Sequence, residues 1–181
     1  MYSGNCHKWL NTPKGSAFLY ARREVQSLIE PLVVSWGWES DKPGPSRFID
    51  EQEWQGTRDI AAYLSVPAAI QFMAEHDWPR VQQECHELVR YARERARKLT
   101  GLPPITPDSP EWFAQMAALP IPPCDLEALK RRLYDEFATE VPIVEWNERQ
   151  FIRVSIQGYN TRADVDALVD ALGVLLLQVS Q

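Results

Sequence analysis

The 181-residue chain is poor in cysteine, in positive charge and in long apolar runs, and each shortage excludes a class of function. Its three cysteines, Cys6, Cys85 and Cys124, are odd in number and widely spaced, so neither a disulfide framework nor a zinc-ligand spacing is present. Cys6-His7 and Cys85-His86 are isolated pairs, and no metal site is expected from them. No segment is apolar for long enough to span a bilayer, and no signal-peptide pattern is visible. Positive charge is outnumbered: 19 Lys and Arg against 25 Asp and Glu leave a formal net charge of −6. Nucleic acid calls for a basic face. The basic run Arg90, Arg93, Arg95, Arg97 and Lys98 reads instead as a solvated helix end, where cations suit the dipole. What is present is ordinary for a soluble cytoplasmic protein, with 45% apolar residues for a packed core and 24% charged residues. The length allows one domain, or a small domain with part of another.

Periodicity divides the chain at residues 76 and 77. Residues 16–22 and 31–36 are rich in aliphatic and aromatic side chains and predict short buried strands. Residues 37–55 predict a long irregular loop with Lys42-Pro43-Gly44-Pro45 and the aromatics Trp38, Phe48 and Trp54. A loop of this length inside a compact domain is usually functional. Thr57 is predicted to cap a helix running through Ile60, Ala61, Leu64, Ala68 and Phe72, kinked or split by Pro67. In residues 77–181, Val81, Cys85, Leu88, Ala92, Ala96 and Leu99 recur at three and four, marking one apolar helix face that ends at Gly101. Residues 112–120 predict a strand, and Asp125 caps a helix through Leu126, Leu129, Leu133 and Phe137. Residues 141–146 and 151–157 predict a hairpin across Asn147-Glu148-Arg149. Thr161 and Asp164 then form a capping-box start for a helix along Val165, Leu168, Leu172 and Leu175. This second part is an α+β unit with helices against one sheet face, able to fold alone. Residues 1–76 are not expected to, because a strand pair and a loop need the rest of a sheet to cover them.

Three groups of residues carry chemistry. Near the start stands Gly4-Asn5-Cys6-His7-Lys8-Trp9-Leu10, followed by Pro13-Lys14-Gly15-Ser16-Ala17-Phe18. A lysine in a polar loop can serve as a nucleophile when its amine is desolvated or set beside another cation, although a surface His-Lys pair is the commoner explanation. Next comes Trp54-Gln55-Gly56-Thr57-Arg58-Asp59, where a helix start at Thr57 would suit an anion or serve as a plain cap. Third is Phe151-Ile152-Arg153-Val154-Ser155, with Gly158-Tyr159-Asn160-Thr161 behind it. Ile152, Val154 and Ile156 alternate on one strand face, so Arg153 and Ser155 point to the other. A guanidinium on a rigid strand can bind a carboxylate with two parallel hydrogen bonds; a surface salt bridge is its commoner fate.

Together and in this order, the three segments resemble the class-V aminotransferase family of fold-type I pyridoxal-phosphate enzymes, most closely its isopenicillin N epimerase-like branch. The resemblance implies an α/β fold: the end of the large cofactor-binding domain over residues 1–76 and a small α+β domain over residues 77–181. It implies pyridoxal 5′-phosphate as cofactor, with Lys8 as the Schiff-base lysine and as acid and base at the α-carbon of an amino-acid or peptide-like substrate. His7 and Asn5 fall where the family holds the cofactor phosphate, Asn5 replacing a frequent serine. Gly56 and Thr57 match a Gly-Thr that reaches across a homodimer interface to the phosphate held by the other subunit, and Arg153 matches the arginine that binds the substrate α-carboxylate. Lys14 competes for the Schiff base, but the family places its amine at the His-Lys pair.

In the family about half the enzyme precedes the lysine, including the aspartate that pairs with the pyridine nitrogen, the group stacked on the ring and a phosphate cup. None is matched here, so the isolated chain is expected to bind cofactor poorly and to turn over little. Epimerisation is the first expectation. Transamination and C–S or C–N lyase chemistry use the same lysine and arginine. Desulfuration would need a cysteine between Cys124 and Arg153, and there is none. Outside catalysis stand a non-catalytic truncated protein and a partner-binding module built on the Trp36–Trp54 region.

Overall fold

The computed structural model describes residues 1–179 and divides into two compact units, one over Met1–His76 and one from Asp77 onward. In the first, strand β1 (Tyr2–Asn5) runs antiparallel to β2 (Ala17–Tyr20), with Tyr2 opposite Tyr20 and Asn5 opposite Ala17. A one-turn helix, α1 (Cys6–Trp9), follows β1 directly. Short helices α2 (Arg23–Gln26), α3 (Arg47–Glu53), α4 (Ala61–Leu64) and α5 (Val66–Glu75) complete the unit. Its buried residues are few and mixed: Cys6, Thr12, Ser16, Ala21 and Glu51.

Several expectations for this unit are corrected. Residues 31–36 form no strand; Leu32 is fully exposed and Trp36 is 84% exposed. An extended run becomes a strand only where a neighbour takes its backbone hydrogen bonds, and Pro31 has no N–H to give. The region 37–55 is not wholly irregular, because α3 lies inside it. Ser46 starts that helix by accepting from Ile49 N–H at 3.4 Å, and Arg47 pairs with the buried Glu51 at 2.6 Å. Thr57 caps nothing. The helix begins at Ala61, whose N–H is taken by Asp59 Oδ1 at 2.8 Å, an aspartate holding backbone two residues on. Pro67 stands in the first turn of α5, and the helix is split at Ser65.

The second unit follows its sequence pattern closely. Helix α6 (Trp78–Thr100) ends at Gly101, which adopts the left-handed φ of 71° while its N–H bonds Arg97 O at 2.9 Å. After it come β3 (Met116–Ile121), α7 (Leu126–Phe137), β4 (Ile143–Trp146), β5 (Arg149–Ser155) and α8 (Arg162–Leu175). The sheet is antiparallel in the order β3-β5-β4. Asp125 Oδ1 caps α7 through Ala128 N–H at 3.0 Å, and Thr161 with Asp164 makes the capping box of α8. Val89, Ala92 and Ala96 of α6, Leu129 and Leu133 of α7, and Val165, Leu168, Leu172 and Leu175 of α8 close over Leu119, Ile121, Ile152 and Val154 of the sheet. Fully burying one of the leucine, isoleucine or valine side chains stabilises a fold by about 1.5–3 kcal/mol.

One expectation here also fails. Arg93 is not part of a solvated helix end: it is 7% exposed, on the same side of α6 as Val89 and Ala96. Its guanidinium stacks 4.0 Å over Phe113 and donates to Thr106 Oγ1 at 3.0 Å, and burial lowers its pKa. Alongside it, Arg90 grips Asp108 at 2.7 Å and holds that carboxyl below the usual range. These contacts strap the 106–113 segment onto α6, which is why β3 starts at Met116 and not at 112. No helix among the described residues is long and apolar enough to cross a membrane.

Candidate functional site

Lys8 owes its position to the β1–β2 pair. The ladder ends at Asn5 and Ala17, and the next hydrogen bond, Cys6 N–H to Ser16 O at 3.1 Å, carries it one residue into α1. Thr12 N–H then returns to Cys6 O at 3.3 Å, and the buried Thr12 and Ser16 hydroxyls meet at 3.4 Å. Cys6 is buried beneath this turn at 3% exposure. A one-turn helix is marginal alone, so these side chains hold it. Thr12 and Ser16 were not anticipated as braces; the only signal in the sequence is two small hydroxyl residues flanking Pro13-Lys14-Gly15.

Lys8 is exposed, and none of the described residues offers its amine an ion pair or hydrogen bond. Beside it, His7 Nδ1 is buried with no hydrogen-bond partner among the described residues, a condition that native polar atoms rarely tolerate. Asn5, at the end of β1, is exposed. Asn5, His7 and Lys8 thus follow closely on one another, from the end of β1 into the braced turn. Lys14 is exposed as well, in the turn before β2, but has no such neighbour. Gly56 bends the backbone at a left-handed φ of 88°, where only glycine is free of strain, and sets Thr57 exposed beside it.

Arg153 lies in the second unit, on the central strand β5. Ile152, Val154 and Ile156 are 0%, 4% and 5% exposed, whereas Arg153 and Ser155 are open to solvent, as their alternation requires. Phe151 departs from the alternation and is buried on the same face as Arg153. Arg153 N–H donates to Pro142 O at 2.9 Å and its cross-strand partner is Ala118; no described acid pairs with its guanidinium. Tyr159 is exposed, and Asn160 works locally, its Oδ1 taking Gln157 N–H at 2.9 Å.

Cys124 is buried just before α7, with its backbone N–H bonded to Gln150 Oε1 at 2.8 Å. Burial pushes its thiol pKa up, which opposes nucleophilic use. Among the described residues, no three His, Cys, Asp or Glu side chains gather as a metal site.

Comparison with known proteins bears on this arrangement. The family model for aminotransferase class-V matches residues 1–168. Isopenicillin N epimerase from Amycolatopsis lactamdurans is 36% identical over 94% of this chain and 46% of its own. The enzyme of the same name from Streptomyces clavuligerus is 34% identical over 96% and 46%. In three dimensions the chain is similar to a cysteine desulfurase from Thermococcus onnurineus NA1, with a TM-score of 0.74 and 20% identity over 98% of this chain and 47% of that one. The chain therefore spans about half the length of the curated relatives it matches. With the model matched across both units, the chain belongs to the class-V aminotransferase family.

Proposed function

We propose that this chain supplies the lysine-bearing and carboxylate-binding parts of a pyridoxal-phosphate enzyme acting at the α-carbon of an amino-acid substrate. Class-V aminotransferases use pyridoxal 5′-phosphate, which when bound supplies an electron sink for the electron pair left at that carbon. The observation that carries the reading is the braced turn holding an exposed, unpaired Lys8 amine beside an unpartnered His7 Nδ1. That unspent polar atom fits a group with phosphate oxygens to offer.

Lys8 would hold the cofactor through Nζ, and once the substrate amine had taken that place the freed Nζ would take and return the proton at the substrate α-carbon. His7 and Asn5 hold the phosphate. Gly56 and Thr57 serve the phosphate of the other subunit in a homodimer; the bend at Gly56, which leaves Thr57 exposed, supports that role. Arg153 binds the α-carboxylate and so orients the α-C–H bond, an effect of positioning on rate. Residues 1–76 form the end of a large cofactor-binding domain and residues 77–181 a small one. Epimerisation is the favoured outcome because two epimerases stand among the relatives at 34–36% identity. Transamination and C–S or C–N cleavage draw on the same two residues, and the buried Cys124 speaks against desulfuration. Three free, buried cysteines suit a cytoplasmic setting. The isolated chain is expected to turn over little, because none of its residues is assigned to pair with the pyridine nitrogen.

A second reading is favoured by the exposure of Trp36 and Trp54, at 84% and 55%. On it the chain is a partner-binding module in which Lys8 is immaterial.

The test is to incubate the chain with pyridoxal phosphate, reduce it with borohydride and map the modified peptide. Label is expected on Lys8. Lys8→Ala should lose both the label and the visible absorbance, while Arg153→Ala keeps them. Label on Lys14, or label that survives Lys8→Ala, would show the assignment to be wrong.

A further inference from the structure

Arg153 is uncommitted, although the chain has 25 acidic residues that could have paired with it. The sheet shows why. Arg153 N–H points to β4, where it bonds Pro142 O at 2.9 Å. Toward β3, therefore, Arg153 and Ala118 form a non-hydrogen-bonded pair, the arrangement in which facing Cα atoms come within roughly 4.5 Å and side chains lie closest. Whatever stands at position 118 meets the stem of Arg153. An acid there would neutralise the guanidinium and a large apolar side chain would cover it. Alanine does neither. Two residues along the same face, about 7 Å away, Ser155 is exposed opposite Met116, and none of the described residues bonds its hydroxyl. A guanidinium leaning along the strand brings its fork over that hydroxyl, so one carboxylate can accept from both.

We infer that Ala118 and Ser155 complete the carboxylate site of Arg153: Ala118 keeps the guanidinium unpaired and uncovered, and Ser155 donates a further hydrogen bond to the same carboxylate. The inference rests on the reading of Arg153 given above. It assigns to β3 a specificity-determining position that carries no polar atom of its own, and it lies wholly within the second unit.

The experiment follows the Nε–Hε resonance of Arg153 by NMR as L-alanine is added to the full chain, against sodium chloride at matched ionic strength. A saturable shift is expected in the unaltered chain. Ala118→Glu should weaken the apparent affinity about tenfold or more by placing a carboxylate across the pair. Ser155→Ala should weaken it about threefold to tenfold, the worth of one hydrogen bond. Should Ala118→Glu fail to fold, Ala118→Leu covers the guanidinium without charge and is expected to weaken binding too. If the unaltered chain shows no saturable shift, the reading of Arg153 itself fails. If it saturates and a variant binds as tightly as the unaltered chain, Arg153 stands and that residue is removed from the site.

Discussion

Gly37 lies so close to helix α3 that a Cβ built on it would fall 1.8 Å from Asp50 O, a backbone atom with nowhere to go. Gly44 approaches the same aspartate from its side-chain end, its N–H donating to Asp50 Oδ2 at 2.8 Å. The segment between these glycines is thus wrapped on one helical turn. Gly37→Ala should push it off, at a cost of about 3 kcal/mol, the upper end of the range for overpacking. Hydrogen exchange would show this as faster exchange over residues 46–53 with the amides of β3 and β5 unchanged. At this same scale the chemistry was only partly legible. The exposed faces of Lys8 and Arg153 follow from a short polar turn and from strand alternation. The burial of Arg93 does not, because a guanidinium on an apolar helix face declares its aromatic partner only once Phe113 has been folded back onto it.

Among the elements, the hairpin between β4 and β5 turns through two residues, Asn147 and Glu148, both left-handed, with φ of 51° and 59°. Asparagine tolerates that region and glutamate does not, so Glu148 holds a strain that glycine would relieve. Glu148→Gly should stabilise the second unit by about 0.5–1 kcal/mol, measured as a higher midpoint in thermal or urea unfolding with the same slope. The location of this turn, the caps at Asp125 and Thr161 and the three long helices could all be read beforehand, because each rests on bonds between residues close in sequence or on the period of its own apolar face. Elements that depend on distant partners were misread. The four residues of β1 hold one glycine and no aliphatic side chain, so composition marks no strand there, and only pairing with Phe18 and its neighbours makes them one. Residues 31–36 err the other way, having strand composition and no described neighbour to pair with.

Taken whole, the molecule concentrates its apolar interior in one place: every member of its buried hydrophobic cluster lies between Cys85 and Val179. The first unit carries the candidate catalytic amine on a scaffold whose buried residues are mostly polar or small. The family relationship was visible from three short segments because chemistry constrains residues more tightly than packing does. A new apolar helix face begins just after Asp77, where the second compact unit starts. The uneven interior has a thermal consequence. Heat capacity rises on unfolding in proportion to the apolar surface newly wetted, and polar surface subtracts from it. A calorimeter should therefore record a step close to that of the 105 residues from Asp77 onward, about 1.3–1.6 kcal/mol/K, well short of what the full chain length would give. A step on the scale of all 181 residues would mean that the lysine-bearing unit hides far more hydrocarbon from water than its side chains display.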